Sequence, residues 1–342
     1  MAKSEKTPLG IFAEASGLYF SNFDKFIKYM SFPVLGQIAG LGIIFFITYF
    51  YTINLPKLLD KYPNLNDFWT LVGISIVITL PGFAIFCKAF WDYLVAYGAV
   101  NSMVSNMLKS GRVYDFDAHK ELINRRALPF IGLWFLFGIF SLVALCPLMW
   151  VLCGIFAIYF VLVFQVFTFE PEQSPFGCVR RSLSLIKGHF GQTLMLMVFI
   201  GLLTYYIIPQ IILTGLNYTG ISTGLSNSIL PFVKLFPEIH LEKYGVSAIT
   251  HLHIAAVAIQ IILSQIIIQY TLPLRSILWS LWYKELNNGI LSQDLPAKSS
   301  KKKNKTAKRP SEKLMEASKK KYSQKKIDDD IIRRAMEKDD EE

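Results

Sequence analysis

The 43 residues from Ala127 to Phe169 contain no Asp, Glu, Lys or Arg. A hydrocarbon core about 30 Å thick is crossed by roughly 20 helical residues rising about 1.5 Å each, so a single helix of that length would be about twice too long. Two spans must be folded into the run. Pro147 follows Cys146 near its middle and lacks a backbone N–H, which marks it as the turn of a transmembrane helical hairpin. A hairpin returns both ends to one side of the membrane. Arg125 and Arg126 precede it and Arg180, Arg181 and Lys187 follow it, and basic residues in short loops are retained in the cytoplasm.

The other charge-poor stretches extend this to six expected spans, at about 31 to 53, 68 to 87, 127 to 146, 147 to 168, 189 to 214 and 246 to 271. Before Arg275, 13 Lys and Arg residues fall on the hairpin's cytoplasmic side of that layout and 4 on the other, so both termini are expected to be cytoplasmic. Hydrophobic residues make up 53% of the chain and charged residues 18%, which excludes an ordinary soluble domain. The expected class is an all-α integral membrane protein in two parts: a polytopic domain over 1–295 and a tail over 296–342 that is disordered or partly helical. The net charge of +10 is unevenly placed: 1–297 holds +4, 298–326 holds 13 basic and 2 acidic residues (+11), and 327–342 holds 3 basic and 8 acidic (−5), so the basic character is concentrated in the tail.

Residues 188–233 are also free of charge, yet Gly215, Asn217, Gly220, Gly224 and Asn227 favour turns. This predicts one span, then an outer loop, with Ile229 to Phe236 as a short interfacial or re-entrant piece. Between the spans, Phe90, Leu94, Tyr97, Val100, Val104 and Met107 recur at helical spacing, as do Leu274, Ile277, Leu278, Leu281 and Trp282. Both read as interfacial amphipathic helices, with Trp91, Trp279 and Trp282 at the headgroup boundary. Residues 10–30 and 177–197 share an offset of 167 that pairs Ala15 with Ser182, Leu18 with Leu185, Phe23 with Phe190 and Ile27 with Leu194. A third such segment runs from Asp117 to Phe130. The layout admits three units, each an amphipathic helix followed by a transmembrane hairpin.

Residues 10–15 with Leu18, Tyr19, Asn22 and Phe23, the stretch 180–190, and 281–286 together resemble bacterial multi-pass proteins related to the membrane domain of glycerophosphoryl diester phosphodiesterases. The resemblance covers about residues 8 to 295 and implies a six-helix membrane domain in a bacterial cytoplasmic (inner) membrane. No catalytic barrel is expected after the charged tail, so phosphodiesterase activity is not carried over.

Several clusters carry chemistry. Arg180, Arg181, Lys187 and His189 are the residues best suited to hold a lipid phosphate, because a guanidinium binds phosphate oxygens as a fork; the competing reading is positive-inside anchoring alone. In the last span, Gln260 with Ser264 and Gln265 with Gln269 form i,i+4 pairs, suited to hydrogen bonds between helices or to a solute pathway. Gly36 and Gly40 permit close helix contact, and Lys88 with Asp92 suits a local ion pair. His251, His253 and His240 lack convincing ligand spacing, the four cysteines imply no disulfide framework, and no cofactor or metal is expected. Hydrolase motifs and paired intramembrane carboxylates are missing from the sequence, so no enzymatic activity is expected. The tail lysines Lys301, Lys302, Lys303, Lys319, Lys320 and Lys321 suit the surface of an anionic bilayer, with nonspecific nucleic-acid or ribosome contact as the competing reading. The expected function is noncatalytic: organising anionic lipid or membrane-protein partners. A transporter or accessory permease and a ribosome-binding, insertase-like protein are the alternatives.

Overall fold

A computed structural model describes residues 7–63, 67–113, 115–234 and 250–293, with side chains described as far as Asn287. Among these residues the chain is helical and contains no strand. Five helical stretches are long and apolar enough to cross a membrane, or six if the bent pair α4 and α5 is counted as one span. The helices are α1 (Pro8–Ser21), α2 (Phe23–Lys61), α3 (Phe68–Ser110), α4 (Phe116–Asn124), α5 (Ala127–Val143), α6 (Trp150–Phe160) and α7 (Val163–Phe169). They continue as α8 (Pro175–Ile186), α9 (Phe190–Gly201), α10 (Ile208–Tyr218), α11 (Ile221–Val233), α12 (His251–Tyr270) and α13 (Leu272–Gln293).

The charge-free run folds as a hairpin. α5 ends at Val143, and a 3-10 turn over Pro147–Met149 starts the return through α6 and α7. Trp150 Nε1 donates to the Ala144 carbonyl at 3.0 Å, which satisfies an acceptor that the ended helix leaves without an intrahelical partner. The break between α6 and α7 is handled likewise: Ser182 Oγ donates to the Tyr159 carbonyl at 2.6 Å. Cys146 sits exposed in the turn while Cys153 is buried, so the turn separates the two thiols.

Two helices exceed the membrane's needs. α2 has 39 residues and α3 has 43, about 59 and 65 Å at 1.5 Å per residue. The amphipathic stretch from Phe90 to Met107 is therefore no separate interfacial helix but the continuation of the second span. Its apolar positions Val100, Val104 and Met107 are fully buried.

The chain clusters into two compact units. One takes in the described residues of Met1–Lys25, Leu94–Leu196 and Ser276–Glu342, and the other takes in Phe26–Tyr93 and Met197–Arg275. The first contains α1, α4 and α8, whose register is shared. Thr7, Asp115 and Ser174 each cap a helix that starts at the next residue, and each side chain accepts from backbone N–H groups of the first turn. Four residues after each cap stand Ile11, His119 and Cys178; eight residues after it stand Ala15, Ile123 and Ser182. All six are at most 3% exposed. The apolar stripe of each amphipathic helix is thus covered by protein. Trp279 and Trp282 share that fate: expected at the headgroups, they are 5% and 2% exposed, and Trp282 Nε1 donates to Thr193 Oγ1 at 3.0 Å.

In the second unit, Gly40 meets the backbone of α3. A Cβ on Gly40 would lie 2.6 Å from the Phe86 nitrogen and 2.7 Å from the Gly82 carbonyl oxygen, and one on Gly36 would lie 2.8 Å from Ala89 Cβ. The expected outer loop is instead helical. α10 runs to Tyr218, Gly220 turns the chain at φ +75°, and α11 packs along α12. Weak helix formers are held there by packing: Ser222 and Ser226 are buried, and Phe232 meets Phe45 and Tyr49 edge-on. With 13 residues α11 is too short to cross a bilayer.

Candidate functional site

The feet of the hairpin and the amphipathic helices of the first unit bring its charged residues together. Glu170 stands just past the charge-free run. Its Oε1 accepts from Arg181 Nε at 2.9 Å and from Tyr283 OH at 2.9 Å, and Oε2 accepts from Gln173 Nε2 at 3.3 Å. Arg181 also donates through Nη2 to Asn287 Oδ1 at 2.8 Å, and Tyr283 stacks on Phe169 with ring centres 5.0 Å apart. Both members of the Arg181 and Glu170 pair are less than a third exposed. The expected phosphate-binding cluster is therefore divided. Arg181 ties α8 to α13, Arg180 and Lys187 are exposed, and His189 Nδ1 contacts Gln192 Oε1 at 3.0 Å beside the Trp282 ring. Consecutive helical positions point about 100° apart, which is why neighbours in sequence do not converge in space.

A second basic group lies where α4 meets α5, two helices bent 79° from one another. A recess of about 310 Å³ opens there, lined by Ser102, Leu122, Ile123, Arg125, Arg126, Thr168 and Pro171. Arg126 Nη1 donates to the Phe167 carbonyl at 2.6 Å, and its guanidinium lies 4.0 Å from the centre of the Phe167 ring. Arg125 pairs with Glu121 at 2.9 Å on the exposed side of α4. Ser102 Oγ lies 2.8 Å from His119 Nδ1, and Thr168 Oγ1 donates to the Phe164 carbonyl at 2.9 Å. Burial holds His119 neutral, with its pKa pushed down to about 4 against a small opposing pull from Asp115.

Beside this recess lies a buried polar hub that hydropathy reading passed over. Asn101 Oδ1 accepts from Gln165 Nε2 at 3.3 Å, from Ser280 Oγ at 3.0 Å and from Ser276 Oγ. Gln165 Nε2 also donates to Tyr97 OH at 3.0 Å. The hub joins α3, α7 and α13. Gln165 inside the charge-free run was the available signal, since a polar side chain in such a run needs a partner.

In the second unit, Gln269 Oε1 accepts from Gln37 Nε2 at 3.4 Å, Gln260 and Gln265 are exposed, and Ser264 is half-buried. Lys88 and Asp92 form the expected pair at 2.6 Å. Among the described residues no group of His, Cys, Asp and Glu is arranged to hold a metal ion, and His240 lies outside them. So do the tail residues Lys301, Lys302, Lys303, Lys319, Lys320 and Lys321. No family model, no curated protein and no solved structure matches this chain.

Proposed function

We propose that this chain is a noncatalytic multi-pass protein of a bacterial cytoplasmic membrane, with both termini cytoplasmic, that organises anionic lipid and membrane-protein partners at its basic face. The supporting observation is the fate of the amphipathic helices. Ile11, Ala15, His119, Ile123, Cys178 and Ser182 turn into protein, so each of these helices is packed down along one face, and we read the three as a layer at the ends of the spans. Such a layer presents fixed positive charge to headgroups instead of floating on the bilayer. Arg125, Arg180 and Lys187 are exposed on it, while the carboxylate at the hairpin's foot, Glu170, is neutralised by Arg181. The polybasic stretch 298–326 adds to the same attraction, at about 1 kcal/mol per basic residue near an anionic surface. Kinship with the membrane domain related to glycerophosphoryl diester phosphodiesterases is part of this reading and rests on the sequence motifs.

The test is the lipid retained by the purified full-length protein. Anionic phospholipid should be enriched over the bulk membrane, and deleting residues 298–342 should reduce the enrichment in a salt-dependent way. Retained lipid of bulk composition overturns the proposal.

A further inference from the structure

The hub at Asn101 is closed to solvent and uneven in its hydrogen bonds. Asn101, Gln165, Ser276 and Ser280 are all 0% exposed. Three partners converge on Asn101 Oδ1, while Nδ2 has none among the described residues. Gln165 is the reverse: Nε2 donates to Tyr97 OH and to Asn101 Oδ1, and Oε1 has no partner among the described residues. A buried donor or acceptor left unmet costs its full desolvation, so such groups are almost always satisfied by protein or by ordered water. Here one NH2 group and one carbonyl oxygen are left over, on two side chains that already meet at 3.3 Å.

The imbalance survives reversal of the amides. Turning over one alone would set NH2 against NH2, or oxygen against oxygen, across the 3.3 Å contact. Turning over both restores that contact in the opposite direction and moves the surplus to the Asn101 oxygen and the Gln165 NH2.

The surplus pair defines its ligand. A molecule placed there must accept from one amide and donate to the other, as water does. Every group bonded to the two amides is neutral, so nothing offsets the charge of an ion. Solvent comes close: Ser102 follows Asn101, Thr168 stands one turn after Gln165, and both line the recess where α4 meets α5.

We propose that a buried water molecule binds at this hub, accepting a hydrogen bond from one amide and donating to the other. It completes the bonds by which the hairpin's returning arm and α13 are tied to α3. The inference goes beyond the lipid reading and does not depend on it.

Full-length protein in lipid bilayers, labelled with 13C,15N-asparagine and 13C,15N-valine, is studied by water-edited solid-state NMR, which times the passage of magnetisation from water to each nitrogen. Val100–Asn101 is the only Val-Asn step in the sequence, so the Asn101 side chain is assigned without a variant. Asn101 Nδ2 should receive water magnetisation at least about threefold faster than the backbone nitrogen of Val100, a residue equally buried in the same helix. Equal rates overturn the proposal. Gln165→Met, which keeps the length of the side chain and removes its amide, should lower the Asn101 rate to that of Val100, and a rate that stays fast overturns the shared water. The wild-type comparison stands whether or not that variant folds.

Discussion

α1 leads into α2 at Phe23, and α8 leads into α9 at Phe190, 167 residues later. The two approaches share a cap, a helix that starts on proline, buried positions four and eight residues on, and a break before the span. They differ in how the break is made. Asn22 pins the first: it is 4% exposed, donates to the Gly111 carbonyl at 3.0 Å and accepts from the Val113 N–H at 3.0 Å. The second break uses Gly188 at φ +92°, a conformation that suits a residue without Cβ. The spans beyond diverge further. Gly36 and Gly40 give α2 its close contact with α3, and 167 residues later stand Leu203 and Ile207, inside a π-helical segment over Leu202–Ile207. A repeated register can therefore be kept in the approach helices while the spans they deliver pack by different means.

The largest test of that contrast is Gly40→Leu. Its Cβ would meet backbone atoms that cannot step aside, so the loss should reach or exceed about 3 kcal/mol in unfolding measured in mixed micelles. Ile207→Ala, at the matching but 42% exposed position, should cost less than ~1 kcal/mol. Equal losses would mean that the two hairpins pack alike.

Acid is the next test, because only one of the three matching positions Ile11, His119 and Cys178 holds a histidine. His119 titrates near 6.5 when unfolded and near 4 when folded, so the unfolded state binds the proton first. Stability should be fully present above about pH 6.5 and fall by up to ~3 kcal/mol as pH drops through 4, at 1.36 kcal/mol per pKa unit. His119→Ile, which copies the first approach helix, should flatten that part of the stability profile; an unchanged acid slope would remove His119 as its cause.

Asn22→Ala should cost about 2 kcal/mol, since it leaves the Gly111 carbonyl and Val113 N–H without their side-chain partner. His189→Ala, at the corresponding place, should cost well under ~1 kcal/mol, its ring contact with Gln192 being exposed. A smaller effect than that of Asn22→Ala is expected of Ser182→Ala, which copies Ala15. It removes the donor to the Tyr159 carbonyl at the break in the hairpin's second arm, a loss of about 1 kcal/mol by thermal unfolding. A neutral result there would show that the break needs no cap.

Much of this was legible along the chain. The proline turn of the charge-free run, the 167-residue register and the Lys88 and Asp92 pair all appear where spacing puts them, because each depends on neighbours in sequence. Residues 215–227 were misread as loop: glycine, serine and asparagine lower helix propensity, and the covering helix α12 outweighs that preference. The tryptophans of α13 were misread for a related reason. An apolar stripe has the same sequence pattern whether lipid or protein covers it.

By itself, the sequence determined that this chain is helical, that most of it is apolar enough for a bilayer, and where its hairpin turns. Those properties follow from the match between local hydropathy and solvent, and from backbone donors that proline lacks. Only the tertiary structure decided which charged side chains are occupied and which are presented. It gave Arg181 to Glu170, drew Arg125 and Arg126 to one recess with Ser102 and Thr168, and buried Gln165 against Asn101. Such partnerships join residues as much as 66 positions apart, as Ser102 and Thr168 are. Hydrogen bonds and ion pairs depend on separation in space over a few ångströms, a quantity that no local pattern encodes.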